Sequence, residues 1–403
     1  MHSLQAENEP LGQDEVPTLP ADDRDLCDAV AVGAKDIDRE VYCILGMPID
    51  AIEMSAALDR IAEAVSSRVF FFLSTPNLNF LVHSQMDPEF RESLLLSDLC
   101  PADGIPVVWI ARLMGISIIR RVAGSDIFEA LKSRLRIQRP LKVFLYGATE
   151  NVATAAAKAL TGSPSLKCVG WACPGFGTLD ELSHDRFIDK INSSGADLLI
   201  VALGAEKGQL WLLRNHRRLV VPLRAHLGVT IHFQAGTVKR APYAIQKLGL
   251  EWLWRIGQEP QLWRRYWRDG SVLLRLMLTR VLPLAIRGVI LRWRSACGGH
   301  HLIIEEFQSP QSATFRLLGF AVAGEVEKAK RCFRDALVAK KLLLIDFSQT
   351  LAIDQRFLGL LLMVRKQLKA CGADLKLAGI SRELEKAFRL NGVEYLLSPS
   401  RMI

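Results

Sequence analysis

The 403-residue sequence predicts an α/β protein: a Rossmann-like, mostly parallel sheet with helices on both faces, then a basic amphipathic helical appendage, then a small α/β domain. Three observations carry this. Short, continuous apolar runs alternate with stretches of helical period, the mark of parallel strands buried on both faces. Between residues 239 and 294 the composition changes to twelve Lys/Arg against three Asp/Glu, with five of the eight Trp. From about residue 302 the α/β alternation resumes.

The elements follow in order. Residues 1–40 hold eleven acidic and three basic side chains and read as a disordered acidic tail. A strand is expected over 41–46 and a helix over 52–65. The apolar run 69–73 ends in Ser74-Thr75-Pro76-Asn77. A strand over 141–146 ends in Gly147-Ala148-Thr149 and precedes an Ala-rich helix over 150–160. A strand over 198–203 ends at Gly204, with a helix over 207–219. Parallel sheets bind ligands at the carboxyl ends of their strands, which makes Thr75, Asn77, Gly147 and Gly204 rim positions. Further on, strands at 341–346 and 374–377 alternate with helices at 357–370 and 382–390. The division is thus a tail (1–40), an α/β domain (41–238), an appendage (239–300) and a second small domain (301–403).

Charge narrows the partners. The formal net charge is +8, but the tail alone carries −8, leaving +16 on the rest. Such a surface favours nucleotide diphosphates or anionic lipid. Nucleic acid has only charge and Trp in its favour and is not expected. The first residues are acidic and polar, unlike a secretory signal. The eight Cys form no CxxC pair, so reduced thiols are expected, without a metal site or a cofactor. His300-His301 is read as a loop. The apolar stretch 272–293 is interrupted by Arg275, Arg280, Arg287 and Arg292, and its longest uncharged run, 281–286, contains Pro283. A spanning helix needs about 20 mostly apolar residues, so this one is expected to lie in a membrane interface. Arg280, Arg287 and Arg294, seven apart, would share one of its faces.

Four segments can carry chemistry, and each has a plain structural alternative. Thr75-Pro76-Asn77-Leu78-Asn79 offers a hydroxyl and two amides to a sugar or phosphate; the alternative is a helix N-cap. Pro101-Ala102-Asp103-Gly104 offers one carboxylate as a general base; the alternative is an Asp-Gly turn. Arg120-Arg121-Val122-Ala123-Gly124-Ser125-Asp126 offers guanidiniums and a helix start to a diphosphate; the alternative is a capped helix with solvated Arg. Lys239-Arg240-Ala241-Pro242, Leu250-Glu251-Trp252 and the Trp/Tyr/Arg run from Arg255 through Arg264 and Arg265 suit an anionic membrane interface; the alternative is a packed helical subdomain.

Together and in this order, these segments resemble the WecG/TagA/CpsF glycosyltransferases over about residues 41–270. The resemblance implies an inverting, metal-independent enzyme. It would move a sugar from a UDP-sugar to a polyprenyl-diphosphate-linked sugar in cell-surface or exopolysaccharide synthesis, on the inner face of the cell membrane. It implies Asp103 as the catalytic base. Substrate contacts would come from Thr75, Asn77, Asn79, Arg121, Gly124, Ser125, Asp126, Gly147, Gly204 and Gln234. Arg240, Arg255, Arg264 and Arg265 would close over the site and stabilise the leaving diphosphate. Two departures stand out. The family's Gly-x-Pro-(Lys/Gln)-Gln-Glu is Gly204-Ala205-Glu206-Lys207-Gly208-Gln209 here, and His232 stands where the family often has Asp.

The carboxyl-terminal segment resembles a STAS domain through Leu342-Leu343-Leu344-Ile345-Asp346-Phe347, Ile353-Asp354 and Leu358-Gly359. Gln355-Arg356-Phe357 replaces the phosphorylatable Ser-Ser/Thr-Gly of regulatory members, which leaves docking to a protein partner. Self-association is open. The competing reading is a non-catalytic membrane-surface scaffold that recruits polysaccharide-assembly partners through this domain.

Overall fold

The first strand belongs to a hairpin of its own and not to the main sheet. β1 (Val41–Ile44) pairs antiparallel with β2 (Met47–Asp50). The two turn residues, Leu45 and Gly46, both have positive φ, 50° and 89°, the conformation a two-residue hairpin needs. The computed structural model describes residues 36–397 except 119, 134–138, 248, 299–300, 311 and 340–341. Residues 1–35 of the acidic tail, His300 and the expected strand start at 341 lie outside the described residues. Residues 36–40, assigned to the tail from composition, are built into the fold: Asp36–Asp38 forms a turn and Arg39 is buried.

After α1 (Met54–Ser66) come β3 (Phe71–Leu73), α2 (Leu78–Met86), α3 (Pro88–Leu95), α4 (Ile105–Leu113) and α5 (Gly124–Ser133). The chain then alternates: β4 (Leu141–Gly147), α6 (Glu150–Thr161), β5 (Leu166–Ala172), short α7 (Leu179–Leu182), α8 (Asp185–Ser193), β6 (Leu198–Ala202), α9 (Ala205–Asn215), β7 (Leu223–His226) and α10 (Gly228–Gln234). The five strands form one parallel sheet in the order β3-β7-β6-β4-β5. α1, α5, α6 and α10 cover one face and α8 and α9 the other. The Rossmann-like arrangement expected from the apolar runs is thus present. β5 and β7 are additions to the sequence reading. β7 is four residues long and contains Arg224, which looks wrong for a buried strand. Its guanidinium is spent on the backbone oxygens of His216, Leu219 and Val221, which makes its burial tolerable.

The next segment is helical: α11 (Tyr243–Lys247), α12 (Glu251–Gln258), α13 (Trp263–Leu276), a π turn over Met277–Val281 and α14 (Leu282–Gly298). Leu274, Leu278, Leu282, Ile286, Val289, Ile290 and Trp293 follow helical spacing and are all exposed. Arg280 and Arg287 face the protein instead, donating to Gln85 Oε1 at 2.7 Å and to the Glu383 carbonyl at 3.4 Å. The helix is therefore amphipathic with its apolar side outward. No helix among the described residues is long and apolar enough to cross a membrane.

The carboxyl-terminal unit holds β8 (Ile303–Gln308), β9 (Ser312–Ala321), α15 (Val326–Val338), β10 (Leu342–Ile353), α16 (Gln355–Ala370), β11 (Leu375–Ala378) and α17 (Arg382–Leu390). Its sheet runs β11-β10-β9-β8, with β8 antiparallel to β9 and the other pairs parallel. Its core includes Ile37, Val41, Cys43 and Leu95 from the first part of the chain. A Cβ at Gly359 would overlap the Val41 carbonyl oxygen, so only glycine allows α16 to lie this close to β1.

Candidate active site

The segment from Leu99 to Asp103 runs along the open edge of β3. Leu73 bridges Leu99, Ser74 N–H donates to the Leu99 carbonyl at 3.0 Å, and Asp50 bridges Pro101. Two further backbone bonds fix its end: Asp103 N–H to the Pro76 carbonyl at 2.9 Å and Val122 N–H to the Ala102 carbonyl at 2.9 Å. The three separated motifs of the sequence (75–79, 101–104 and 120–126) thus meet through main-chain bonds.

Asp103 Oδ2 accepts from Gly124 N–H, the first residue of α5, at 3.4 Å. Burial pushes its carboxyl up to about 7; the Arg121 guanidinium and the Gly124 N–H pull the other way, and the carboxylates of Glu251 and Asp126 add to the rise. A side chain at Gly124 would force the Leu227 and Thr75 side chains to move. An added Cβ would overlap Leu227 Cδ2 and sit 3.1 Å from Thr75 Oγ1, so Thr75, Gly124 and Leu227 close one wall beside Asp103.

The plain structural reading holds for Asn77, whose side chain caps α2 by accepting from Asn79 N–H at 3.0 Å and Phe80 N–H at 3.2 Å. Asn79 reaches the other way and donates to Asp269 Oδ2 on α13 at 3.2 Å. Arg121 pairs with Glu251 of α12 at 2.7 Å and with Asp126 at 3.3 Å, and Arg240 also pairs with Asp126. The segment after residue 238 therefore already lies on the site, through three polar contacts. Burial lowers the Arg121 pKa, but its carboxylate neighbours, Glu251 first, more than offset this and leave it raised.

A cavity of about 590 Å³ opens next to this cluster, lined by Ser125, Lys132, Thr230, Phe233, Gln234 and Arg240. Gln234 accepts from Lys132 Nζ at 2.9 Å and donates to Glu129 at 2.6 Å. Thr230 Oγ1 is buried without a protein partner.

Other expected positions fall further away. Gly147 and Gly204 sit at the carboxyl ends of β4 and β6, where the strand order reverses, three and two strands along from β3; at about 4.8 Å per strand that is roughly 14 and 10 Å. Gly147 is required there: its φ is 97°, and a Cβ would come 2.6 Å from the Ala202 carbonyl oxygen. Arg255 pairs with Glu259 at 3.2 Å, and Arg264 and Arg265 lie over the rings of Trp263 and Tyr266. Those three arginines find partners within the helical segment and not at Asp103. Of the two departures, Glu206 faces His83 at 3.6 Å and His232 bonds Thr237 Oγ1 at 3.1 Å. Glu251, Lys132, Thr230 and Asp269 were not among the sequence candidates. Their spacing gives no signal; only Glu251 stands inside a motif that could have drawn attention. Among the described residues, no group of three or more His, Cys, Asp or Glu is placed to hold a metal ion.

Residues 42–285 match the model of the Glycosyl transferase WecG/TagA/CpsF family, well over half of the chain. The chain belongs to this family. It is a glycosyltransferase. A relative from Bacillus spizizenii, N-acetylglucosaminyldiphosphoundecaprenol N-acetyl-beta-D-mannosaminyltransferase, is 28% identical over 197 residues, covering 48% of this chain and 74% of that protein. A crystal structure of SsGBP in complex with GDP aligns over 64% of this chain and 90% of its own at 11% identity; its TM-score of 0.20 is too low to bear on the fold. The match ends before the carboxyl-terminal unit begins, so that unit is an addition to the glycosyltransferase region.

Proposed function

We propose that this glycosyltransferase moves a sugar from a UDP-sugar to a hydroxyl of a polyprenyl-diphosphate-linked sugar, with inversion, at the membrane surface. The observation that carries the proposal is Asp103: a carboxyl held at about 7 by burial, its Oδ2 facing the N-terminus of α5, with Arg121 acting on it and the next residue of that helix, Ser125, lining the cavity. A base of that pKa is half ionised near neutral pH and still strong enough to take a hydroxyl proton. In the step proposed, Asp103 removes the acceptor proton while the acceptor oxygen bonds the anomeric carbon. The bond from that carbon to the UDP oxygen breaks, and UDP leaves with the electron pair. Arg121 and Arg240 stabilise the diphosphate as its charge grows. The cavity volume falls in the range of small-ligand sites, about 300–1,000 Å³, and suits the donor.

The relative's name supports the lipid-linked acceptor and an N-acetylmannosaminyl donor. The outward apolar stripe on α13 and α14, flanked by exposed Arg275, Arg292 and Arg294, supports contact with an anionic membrane. The carboxyl-terminal unit is read as STAS-like on its sequence. A panel of UDP-N-acetylmannosamine, its uronic acid and UDP-glucose, offered with a polyprenyl-diphosphate-N-acetylglucosamine acceptor, tests the proposal by product mass. A product heavier than the acceptor by one sugar is expected with one donor. No product with any of them, at enzyme levels that bind UDP, would overturn it.

A further inference from the structure

The carboxyl-terminal unit reaches the segment that carries Asp103 through buried ions. Lys366 of α16 is 8% exposed. Its ammonium donates to Asp98 Oδ1 at 2.7 Å, to the Ser97 carbonyl at 3.2 Å and to Asp36 Oδ1 at 3.1 Å. Asp36 in turn accepts from Arg39 at 2.9 Å, and Arg39 donates to the same Ser97 carbonyl at 2.9 Å. Arg39 then forks onto both oxygens of Asp50, at 3.1 and 2.7 Å. Asp50 Oδ2 accepts from Cys100 N–H at 2.6 Å, and Asp50 N–H donates to the Cys100 carbonyl at 2.9 Å. Asp98 spends its second oxygen on Phe72 N–H of β3, at 2.8 Å.

Residues 97, 98 and 100 are thus held from one side by β3 and from the other by Lys366 of the carboxyl-terminal unit and by Arg39, which follows the turn at Asp36–Asp38 and acts on Cys100 through Asp50. Asp103 follows three residues later. Two features mark this as more than a surface contact. The network is buried: Arg39, Asp50 and Lys366 are 4%, 2% and 8% exposed. It is also doubly anchored on α16, where Gly359 and Arg356 seat against the Val41 carbonyl and Arg365 pairs with Glu92 of α3 at 3.0 Å. Buried ion pairs stabilise little compared with apolar packing, and their best-attested use is to fix one register. The register fixed here is that of the segment leading to Asp103.

We infer that Lys366 is a positioning residue for Asp103, and that the carboxyl-terminal unit is a working part of the transferase and not a tethered recruiting module. This rests on the reading of Asp103 as the base. The face of α16 that lies on β1 and α3 is already occupied within this chain, so that face is closed to a separate partner.

The full chain is tested as Lys366→Met, Lys366→Arg, Asp98→Asn and Phe388→Leu. Phe388 lies in the core of the same unit, packed on Phe347, and its apolar side chain makes no hydrogen bond or ion pair with the network. Single-turnover transfer is followed against pH, and UDP binding is measured by calorimetry. Lys366→Met is expected to lower the transfer rate tenfold or more and to move its acid limb away from that of the wild type, with UDP affinity within threefold. Lys366→Arg, which keeps the cation, is expected to restore most of the rate. Asp98→Asn reports on the same contact if Lys366→Met does not fold, and should show the same loss in smaller measure. Phe388→Leu, compared at a temperature where both proteins are folded, should keep the wild-type limb. A folded Lys366→Met or Asp98→Asn with wild-type rate and limb would overturn the inference, as would an equal change in Phe388→Leu. Asp103→Asn separates the two claims. If it is inactive while Lys366→Met is normal, only the positioning role fails; if it is active, the base assignment fails and takes this inference with it.

Discussion

Replacing Asp103 by Asn should make the protein less active and more stable at once. The structure gives the size. The Asp103 carboxyl stands at about 7 against an ordinary 3.8. Three units at 1.36 kcal/mol each set a ceiling of about 4 kcal/mol, and partial exposure to water brings the expected effect to about 1–3 kcal/mol. The sign follows from the direction of the shift. The folded protein holds this proton more tightly than the unfolded chain, so stability falls as pH rises from 3.8 towards 7 and the full cost is present above 7. Asn carries no charge to desolvate and keeps an oxygen for Gly124 N–H. The gain should therefore be largest near pH 8 and shrink towards zero as the pH falls to 3.8, the value of an unperturbed aspartate. Urea denaturation of both proteins, with midpoints compared at about pH 8 and about pH 5, reads it directly. An Asp103→Asn variant no more stable than wild type at pH 8 would mean that this carboxyl is not held at a raised pKa, and would remove the main support for its role as a base.

Three further outcomes are expected. Glu251→Gln removes a negative charge that raises the Asp103 pKa and frees Arg121 to face it, so the acid limb of the pH–rate profile should move to lower pH; an unchanged limb would show that α12 does not act on the site. Gly124→Ala drives a methyl group into Leu227 and towards Thr75, and should destabilise by about 1–3 kcal/mol with loss of activity; a wild-type urea midpoint would contradict the wall described here. Leu278→Asp with Ile286→Asp places charge on the outward stripe, and should weaken co-sedimentation with anionic vesicles by tenfold or more while the circular dichroism stays unchanged. Equal vesicle binding would remove the stripe from the membrane account.

The sequence was most informative where physical period and motif agree. The run at 198–203 is apolar throughout and that at 141–146 is apolar but for the exposed Lys142, because β4 and β6 are interior strands covered on both faces, and both are legible in the sequence. β7 was not legible: it is as central, but Arg224 breaks its pattern, and the carbonyls that satisfy that guanidinium come from the turn at 216–221. At the site, Asp103 and the 121–126 segment were found by motif alone. Their contact is a set of backbone bonds across loops, which no spacing rule encodes. Asn77 shows the opposite case. A residue placed by its motif at the site spends its side chain on a helix cap. The spacing of Arg280 and Arg287 puts them on one face of a helix, and that face is turned to the protein. Spacing fixes which residues share a side; only packing decides which side meets solvent. The network around Lys366 joins residues 36, 39, 50, 97, 98, 100 and 366, and its members are ordinary charged residues in the sequence.

The central claim is that Asp103 takes the acceptor's proton with a pKa near neutrality. Single-turnover transfer to a polyprenyl-diphosphate-sugar acceptor, measured from about pH 5 to about pH 9, tests it most directly. The rate should rise with an apparent pKa of about 7 in the wild type, and should fall by about 10²–10⁴-fold in Asp103→Asn. A rate independent of pH across that range, or an Asp103→Asn variant that transfers sugar as fast as the wild type, would contradict it.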